Sequence, residues 1–190
     1  MKHTRIILSG LIAIALLSAC AGSSDTNTGT DVVEAVTDFN DDDVMFAQMM
    51  IPHHEQAIEM SEIALDPTVE ASEVVKSLAT RIMGAQDPEI ATMKGFLTTW
   101  NMGLTMDTSM DHSDMMSGML SADELAELST LRGAAFDRAW MSGMIKHHEG
   151  AIEMAADVLK DGKNAEVKAL ANTITSAQDA EILEMKELLG

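Results

Sequence analysis

Two stretches of the chain carry the same unusual pattern: MIPHHEQAIEM, from Met50 to Met60, and MIKHHEGAIEM, from Met144 to Met154. When either stretch is wound as a helix of about 100° per residue, its apolar side chains fall on one broad arc and its glutamates on the other. The histidines lie near the middle of the apolar arc. Two histidine pairs are therefore predicted to point into the interior of the protein: His53 with His54, and His147 with His148.

The similarity between the two halves extends beyond the histidines and predicts the fold. HHEQAIEMSEIAL, starting at His53, aligns with HHEGAIEMAADVL, starting at His147. Further along, AQDPEIATMK from Ala85 aligns with AQDAEILEMK from Ala177. The sequence lacks the sustained alternation of β-branched residues that predicts strands. We therefore expect an all-α protein, a ferritin-like four-helix bundle built from two repeated helical hairpins.

Local signals give the expected helix ends. Pro67 ends the first helix, because proline disfavours helix in the residue before it, and Ser121 with Glu124 forms a capping box for the third. The expected helices span residues 41–65, 69–100, 121–160 and 164–189, with Gly162 breaking the chain before the last and with Pro52 and Pro88 inside helices, where they should cause kinks. The folded domain is expected over 38–190, with repeat one at 41–100, a Met-rich crossover at 101–120 and repeat two at 121–190.

The N-terminal sequence predicts export and a lipid anchor. Its apolar run IILSGLIAIALL is shorter than the ~20 residues of a membrane span, so residues 1–19 are typical of a signal peptide. The segment LSAC resembles the lipobox of bacterial lipoproteins, in which Cys20 would be lipidated; the alternative is an ordinary signal with an incidental cysteine. Residues 20–37 have little to bury and are expected to form a flexible tether. We predict an exported, membrane-anchored lipoprotein facing the periplasm or the extracellular side of a bacterial cell.

Charge and cysteine content exclude several kinds of function. The chain has 12 Lys and Arg against 31 Asp and Glu, and the signal holds two of the basic residues and none of the acidic ones, so the remainder carries a net charge of −21. Such a chain is a poor ligand for nucleic acid or for anionic lipid. Cys20 is the only cysteine, which excludes a disulfide within the chain.

Methionines accompany the histidines on the same helical arcs, and together they predict a copper site. Imidazole with thioether suits copper, and thioether particularly suits Cu(I). Thioether also forms no disulfide, so it survives in an oxidising envelope. The candidate metal ligands are His53, His54, His147, His148, Met50, Met60, Met144 and Met154. The side chains expected to surround them from the partner helices are Gln86, Glu89, Met93, Gln178, Glu181 and Met185.

The crossover NMGLTMDTSMDHSDMMSGML predicts a second, exposed metal site that could load the first. Little else in this segment is apolar, so a hydrophobic core explains its methionines poorly. The alternatives are a disordered, oxidation-prone linker or a loop that packs across the bundle. The candidate residues are Met102, Met106, Met110, His112, Met115, Met116 and Met119.

At these motifs the sequence resembles the bacterial family known as domain of unknown function 305. Its members carry an HHxxAIxMA-like helix, often duplicated, an AQxxEIxxM helix and a Met-rich connection. The resemblance covers nearly the whole chain after the tether and implies a ferritin-like four-helix fold. It also implies copper binding, because some members are linked to copper binding and copper tolerance. By motif, His53, His54, His147, His148, Met60, Met154, Gln86 and Gln178 match family positions, whereas Ser61 departs from the expected alanine.

Three functions follow as hypotheses. The leading one is a protein that sequesters or relays copper, preferably Cu(I), without catalysing a reaction. Its partners would be the metal ion, the membrane through Cys20, and a copper-handling protein or a second copy of the chain. The first alternative is an interaction module whose histidines, glutamines and glutamates form a polar core without metal. The second is a ferritin-like oxidase, but neither histidine pair has the glutamate three residues earlier that di-iron bundles use.

Overall fold

The structure, a computed structural model, describes residues 38–106 and 117–190. Within these ranges it contains five α-helices, one short 3-10 helix at Pro67–Val69 and no strand. The α-helices are α1 (Asp41–Leu65), α2 (Glu73–Thr99), α3 (Ala122–Thr130), α4 (Gly133–Asp161) and α5 (Ala165–Leu189). The expected all-α class is therefore confirmed. None of the described helices combines the length and the apolarity needed to cross a bilayer.

One of the four predicted helices is wrong, because the span expected at 121–160 is divided into α3 and α4. The capping box of Ser121 and Glu124 does start α3. The helix then stops at Leu131 and Arg132, whose backbones are extended, and Gly133 follows with φ +55. The left-handed conformation of Gly133, the first residue of α4, suits a residue without a Cβ.

The other predicted boundaries hold more closely. The first helix has the expected ends, and its Pro52 lies inside it, as Pro88 lies inside α2. Helix α2 begins later than expected, because the 3-10 helix and the left-handed Glu70 precede it and Ser72 forms its cap. Asn164 caps α5, where its side chain accepts bonds from the first-turn amides.

The long helices pack in pairs, α1 on α2 and α4 on α5, and α1 also contacts α4. The two pairs make matching surface contacts. Lys94 reaches Glu55 across the first pair at 2.9 Å, and Lys186 reaches Glu149 across the second at 2.9 Å. The aligned sequences therefore place the same side chains in the same relation in both halves.

Each half of the molecule also completes a helix of the other half. In α1, Asp43 Oδ2 accepts hydrogen bonds from the backbone amides of Lys163 and Asn164 at the start of α5, both at 3.0 Å. In α4, Asp137 Oδ1 accepts the backbone amide of Ser72 at the start of α2, also at 3.0 Å. A Cβ on Gly162 would lie 2.7 Å from Asp43 Oδ1, so the approach of α1 to this turn requires glycine.

The interior consists of two apolar clusters. One contains Met50, Met93 and Met154, and the other contains Met60, Met144 and Met185. Four buried histidines lie between these methionines along α1 and α4, and two buried glutamines and two partly buried glutamates precede Met93 and Met185 along α2 and α5. We call this polar set the histidine layer: His53, His54, Gln86, Glu89, His147, His148, Gln178 and Glu181.

Candidate metal centre

The four predicted histidines are fully buried, each with 0% of its surface exposed. His53 from α1 and His147 from α4 meet at the contact between the two halves, where their ring centroids are 3.8 Å apart at an interplanar angle of 40°. The structure therefore brings the equivalent first histidine of each repeat together. This contact was not predicted, because helical periodicity gives a side chain's face but not its neighbour on another helix.

The second histidine of each repeat donates to a glutamate. His54 Nε2 lies 2.9 Å from Glu89 Oε2, and His148 Nε2 lies 2.7 Å from Glu181 Oε2. These glutamate side chains are only 13% and 17% exposed. A carboxylate oxygen accepts hydrogen bonds, so Nε2 is the donor in each pair and Nδ1 is left for another partner. Such outer partners fix the ring orientation and the nitrogen that is available for a metal.

His53 follows the same rule with a different acceptor. Its Nε2 lies 3.2 Å from the backbone carbonyl oxygen of Ser117, and a carbonyl oxygen also only accepts. The Nδ1 atoms of His53, His54 and His148 are buried, and none has a hydrogen-bond partner among the described residues. Three rings therefore have a buried Nδ1 atom that no group of the described chain uses.

Further buried polar atoms in the layer lack partners. Within the described ranges, both ring nitrogens of His147 and both amide atoms of Gln86 and Gln178 make no hydrogen bond. A buried polar group left in this state costs about 1–3 kcal/mol. An entirely structural polar network would be expected to satisfy its members. The layer is therefore suited to receive a group that these nitrogens and oxygens can bind.

Burial keeps the central histidines neutral. Removal from water, together with the nearby His54, lowers the pKa of His53 to about 3, against the opposing effect of the hydrogen bond that His53 donates to the Ser117 carbonyl. Removal from water also lowers the pKa of His147 well below its ordinary value, with His53 as the next cause. Neutral imidazole is the form that binds metal, so these two rings need not lose a proton to do so near pH 7.

The predicted methionine ligands lie on both sides of the histidine layer. Met50 and Met60 face the same arc of α1 but are ten residues apart, which is about 15 Å along a helix. They therefore cannot bind one ion together. Instead, Met50 shares a cluster with Met93 and with Met154 from α4. Met60 shares the other cluster with Met144, Met185 and Trp140, whose indole nitrogen donates to the Met60 carbonyl at 2.9 Å.

Imidazole, thiolate and carboxylate groups alone do not form a metal centre in the described part of the chain. No three His, Cys, Asp or Glu side chains of residues 38–106 and 117–190 are grouped so that they could hold a metal ion. A metal in the histidine layer would therefore need thioether or amide ligands in addition to imidazole.

The residues predicted outside the layer are placed only in part. Met102 is 40% exposed, Met106 packs against the first apolar cluster, and Met119 is half-buried. The signal at 1–19, Cys20 with the tether at 20–37, and the crossover residues Met110, His112, Met115 and Met116 lie outside the described residues.

The short segment Ser117–Leu120 lies against the histidine layer, as expected for the loop packing across the bundle that was one alternative for the crossover. Gln56 holds this segment, because its amide donates to the Leu120 carbonyl and accepts the Leu120 amide, both at 2.8 Å. A Cβ on Gly150 would collide with the Ser117 carbonyl. Gln56 and Gly150 occupy the same position of the two repeats, so this difference within HHEQAIEM and HHEGAIEM was the available signal.

Comparisons with known proteins identify a family and several structures of similar fold. The model of the family "Domain of unknown function (DUF305)" matches residues 43–189. A crystal structure of a DUF305 fragment from Deinococcus radiodurans is 34% identical, with a TM-score of 0.71 over 80% of this chain and 97% of that one. A candidate secreted DUF305 protein from Streptomyces coelicolor is 31% identical, with a TM-score of 0.71 over 78% and 91%.

A third similar structure contains metal. CopM in its Cu(I)-bound form is 32% identical to this chain, with a TM-score of 0.63 over 77% of this chain and 94% of CopM. CopM has also been solved in Cu(II)-bound and Ag-bound forms. No curated protein matches the chain.

Proposed function

Because the chain belongs to the DUF305 family, we propose that it binds copper in the histidine layer, preferably as Cu(I), and sequesters or relays it without catalysing a reaction. The single observation that carries this proposal is the set of buried, unpartnered histidine nitrogens between two groups of buried methionines. The copper-bound and silver-bound forms of the similar protein CopM support the choice of metal.

The chemistry of the side chains favours Cu(I) over harder ions. Imidazole and thioether are neutral ligands of soft to borderline character, and thioether particularly suits Cu(I). Glu89 and Glu181 would orient His54 and His148 through Nε2, so that Nδ1 is the ligating atom. Met50 and Met154 on one side of the layer, and Met60 and Met144 on the other, would complete the coordination of separate ions. Copper is the cargo in this proposal, and no redox step is required.

The cellular setting is part of the same proposal. The chain would be exported and held at the membrane by a lipid on Cys20, with the tether at 20–37 separating the domain from the bilayer. The Met-rich crossover at 101–120 would collect the ion from solvent. The four long helices would form a ferritin-like bundle of two hairpins, in which the layer lies at the centre.

Competition for Cu(I) tests the proposal. The full chain, with Cys20→Ser to remove the thiol, would be titrated against a chromogenic Cu(I) chelator. We expect the parent to compete and the double variant His53→Leu/His147→Leu to lose most of that competition. The matched control Met83→Leu/Met141→Leu changes one half-buried and one buried methionine outside the layer and should compete like the parent. Circular dichroism would verify that each variant is folded.

A second series separates the layer from the crossover. Here the crossover methionines are replaced by leucine: Met102, Met106, Met110, Met115, Met116 and Met119. If these changes remove competition and the histidine variant retains it, the crossover is the copper site and the assignment to the layer is wrong. If the folded parent does not compete at all, the histidines form a structural polar network, and the chain is better explained as an interaction module.

A further inference from the structure

An open groove lies between the first part of α1 and the last part of α4. It holds a cavity of about 440 Å³. Three thioethers line it, from Met45 and Met49 of α1 and Met154 of α4. Neither Met45 nor Met49 was among the ligands that the repeated motif predicted, since both precede that motif in the chain.

The internal repeat provides a built-in comparison for this groove. The positions of α4 that match Met45 and Met49 are Ala139 and Gly143. On that side the helix is covered: α3 packs on α4, and the methyl groups of Leu120 lie 3.5 and 3.6 Å from where a Cβ of Gly143 would be. The fold therefore forms without methionine at these two positions of α4. Met45 and Met49 are therefore not explained by a packing need that both halves share.

The exposure of the flanking methionines shows the same difference. Met154 faces the open groove and is 8% exposed, whereas its counterpart Met60 is 0% exposed. The Cε atom of Met60 would lie 3.4 Å from a Cβ on Gly143, so Met60 packs directly over Gly143. Only one of the two related grooves presents thioethers to solvent.

The charge around the groove attracts cations. Its lining includes four carboxylates, from Asp42, Glu153, Asp157 and Asp161, and no Lys, Arg or His. Glu153 and Asp157 lie one helical turn apart, and neither has an ion pair within the described residues. A cleft lined by one sign of charge raises the local concentration of the opposite ion. The carboxylates here support the thioethers and do not themselves define a site.

The groove also adjoins the histidine layer. Ser117 lines the cavity, and its carbonyl oxygen accepts from His53 Nε2. Met154 lines the cavity and belongs to the apolar cluster beside the layer. We propose that this groove is an outer binding site for a soft monovalent cation, Cu(I) or Ag(I), with Met45 and Met49 as its ligands. The further role of this site, to pass the ion on to the histidine layer, rests on the proposed function.

Methyl NMR with Ag(I) tests the groove directly. The full chain with Cys20→Ser would carry ¹³C-labelled methionine methyl groups and be titrated with silver nitrate, which is diamagnetic and stable in air. The Met45→Leu and Met49→Leu variants assign the two signals. We expect both signals to shift, and we expect the double variant to take up one Ag(I) fewer than the parent. The control Met83→Leu/Met141→Leu, matched to Met45 and Met49 in burial, should take up as many as the parent.

Each outcome has a distinct meaning. If the Met50 and Met144 signals shift while those of Met45 and Met49 do not, the groove is not a site and the proposed function stands. If the Met45 and Met49 signals shift and those of Met50 and Met144 do not, the groove is confirmed as a site. The assignment of metal to the histidine layer is then overturned. If no methionine signal moves, both are wrong.

Discussion

At the scale of single residues, His147 and His148 show that the hydrogen bonds of a buried side chain depend on the helix packed against it. They are adjacent and equally buried, yet His148 donates to Glu181 while neither nitrogen of His147 has a partner in the described structure. Helical periodicity was enough to predict that both point inward. It could not predict this difference, because Glu181 is on another helix whose rotation and height depend on packing along its entire length.

The first prediction concerns stability without metal. We expect His147→Leu to leave the metal-free protein as stable as the parent or about 1 kcal/mol more stable, because it removes unpartnered buried nitrogens. The same change should abolish most Cu(I) binding. Urea unfolding of the metal-free protein measures the first effect and chelator competition the second.

His148→Leu is the matched control for that experiment. It is expected to destabilise the metal-free protein, since it leaves the half-buried carboxylate of Glu181 without its donor. Equal losses of stability in the two variants would contradict the hydrogen-bond assignment of both histidines.

The second prediction concerns Gly150, where Ser117 passes close to α4. Gly150→Ala should destabilise the protein by about 1–3 kcal/mol, because the added methyl group collides with the Ser117 carbonyl and forces the segment away. The control Gly84→Ala places a methyl group where no atom lies within 4 Å, and it should stabilise α2 by about 0.5–1 kcal/mol. Urea unfolding of both variants checks the opposite signs, and two changes of the same sign would contradict the close approach.

At the scale of elements, the start of α3 could be predicted from the sequence, whereas the break between α3 and α4 could not. The pairing of Ser121 with Glu124 is local, so the start of α3 could be predicted from four residues. The interruption at Leu131 and Arg132 lies within a pattern whose apolar residues keep helical spacing on both sides. The packing of α3 against α4 shows that this span forms two helices and not the single helix expected.

The third prediction concerns the contact between α1 and the turn before α5. Asp43→Asn should cost about 2–3 kcal/mol of unfolding free energy, because the carboxylate accepts from three backbone amides, those of Asn40, Lys163 and Asn164. Asp137→Asn, which affects one such bond, should cost about 1 kcal/mol. Chemical denaturation measures both.

The neighbouring Asp42→Asn serves as the control, since Asp42 is more exposed and, among the described residues, accepts from the Asn40 side chain alone. A loss from Asp43→Asn no larger than that from Asp42→Asn would contradict the role of Asp43 in joining the two halves.

At the scale of the whole molecule, the sequence predicted the all-α class and the inward-facing histidines, because both follow from helical period and repetition. It grouped Met50 with Met60 by their common arc, whereas the structure separates them by the length of the histidine layer. An angular plot of one helix contains no information about height relative to other helices. The groove at Met45 and Met49 was missed for a related reason, since it depends on which side α3 covers.

The fourth prediction is that acid destabilises the metal-free protein. The pKa of His53 is lowered from 6.5 to about 3 and that of His147 is also lowered, so below pH 6.5 the unfolded chain takes up protons that the folded chain does not. Stability is therefore present above pH 6.5 and is lost as the pH falls. Between pH 7 and pH 5 each histidine should contribute a loss of up to about 2 kcal/mol.

Urea unfolding at pH 7 and at pH 5 measures this loss. His147→Leu should reduce the difference between the two pH values, because it removes one of the two groups. A protein equally stable at both values would show that His53 and His147 accept protons in the folded state, contrary to their burial.

The reciprocal capping by Asp43 and Asp137 bears on the origin of the chain. A protein made of one such hairpin would begin its second helix without the aspartate that accepts backbone amides there, and it would hold half of the histidine layer. Two identical copies facing each other would supply both missing parts. The chain thus has the form expected of an ancestral homodimer whose coding sequence was duplicated and joined in tandem.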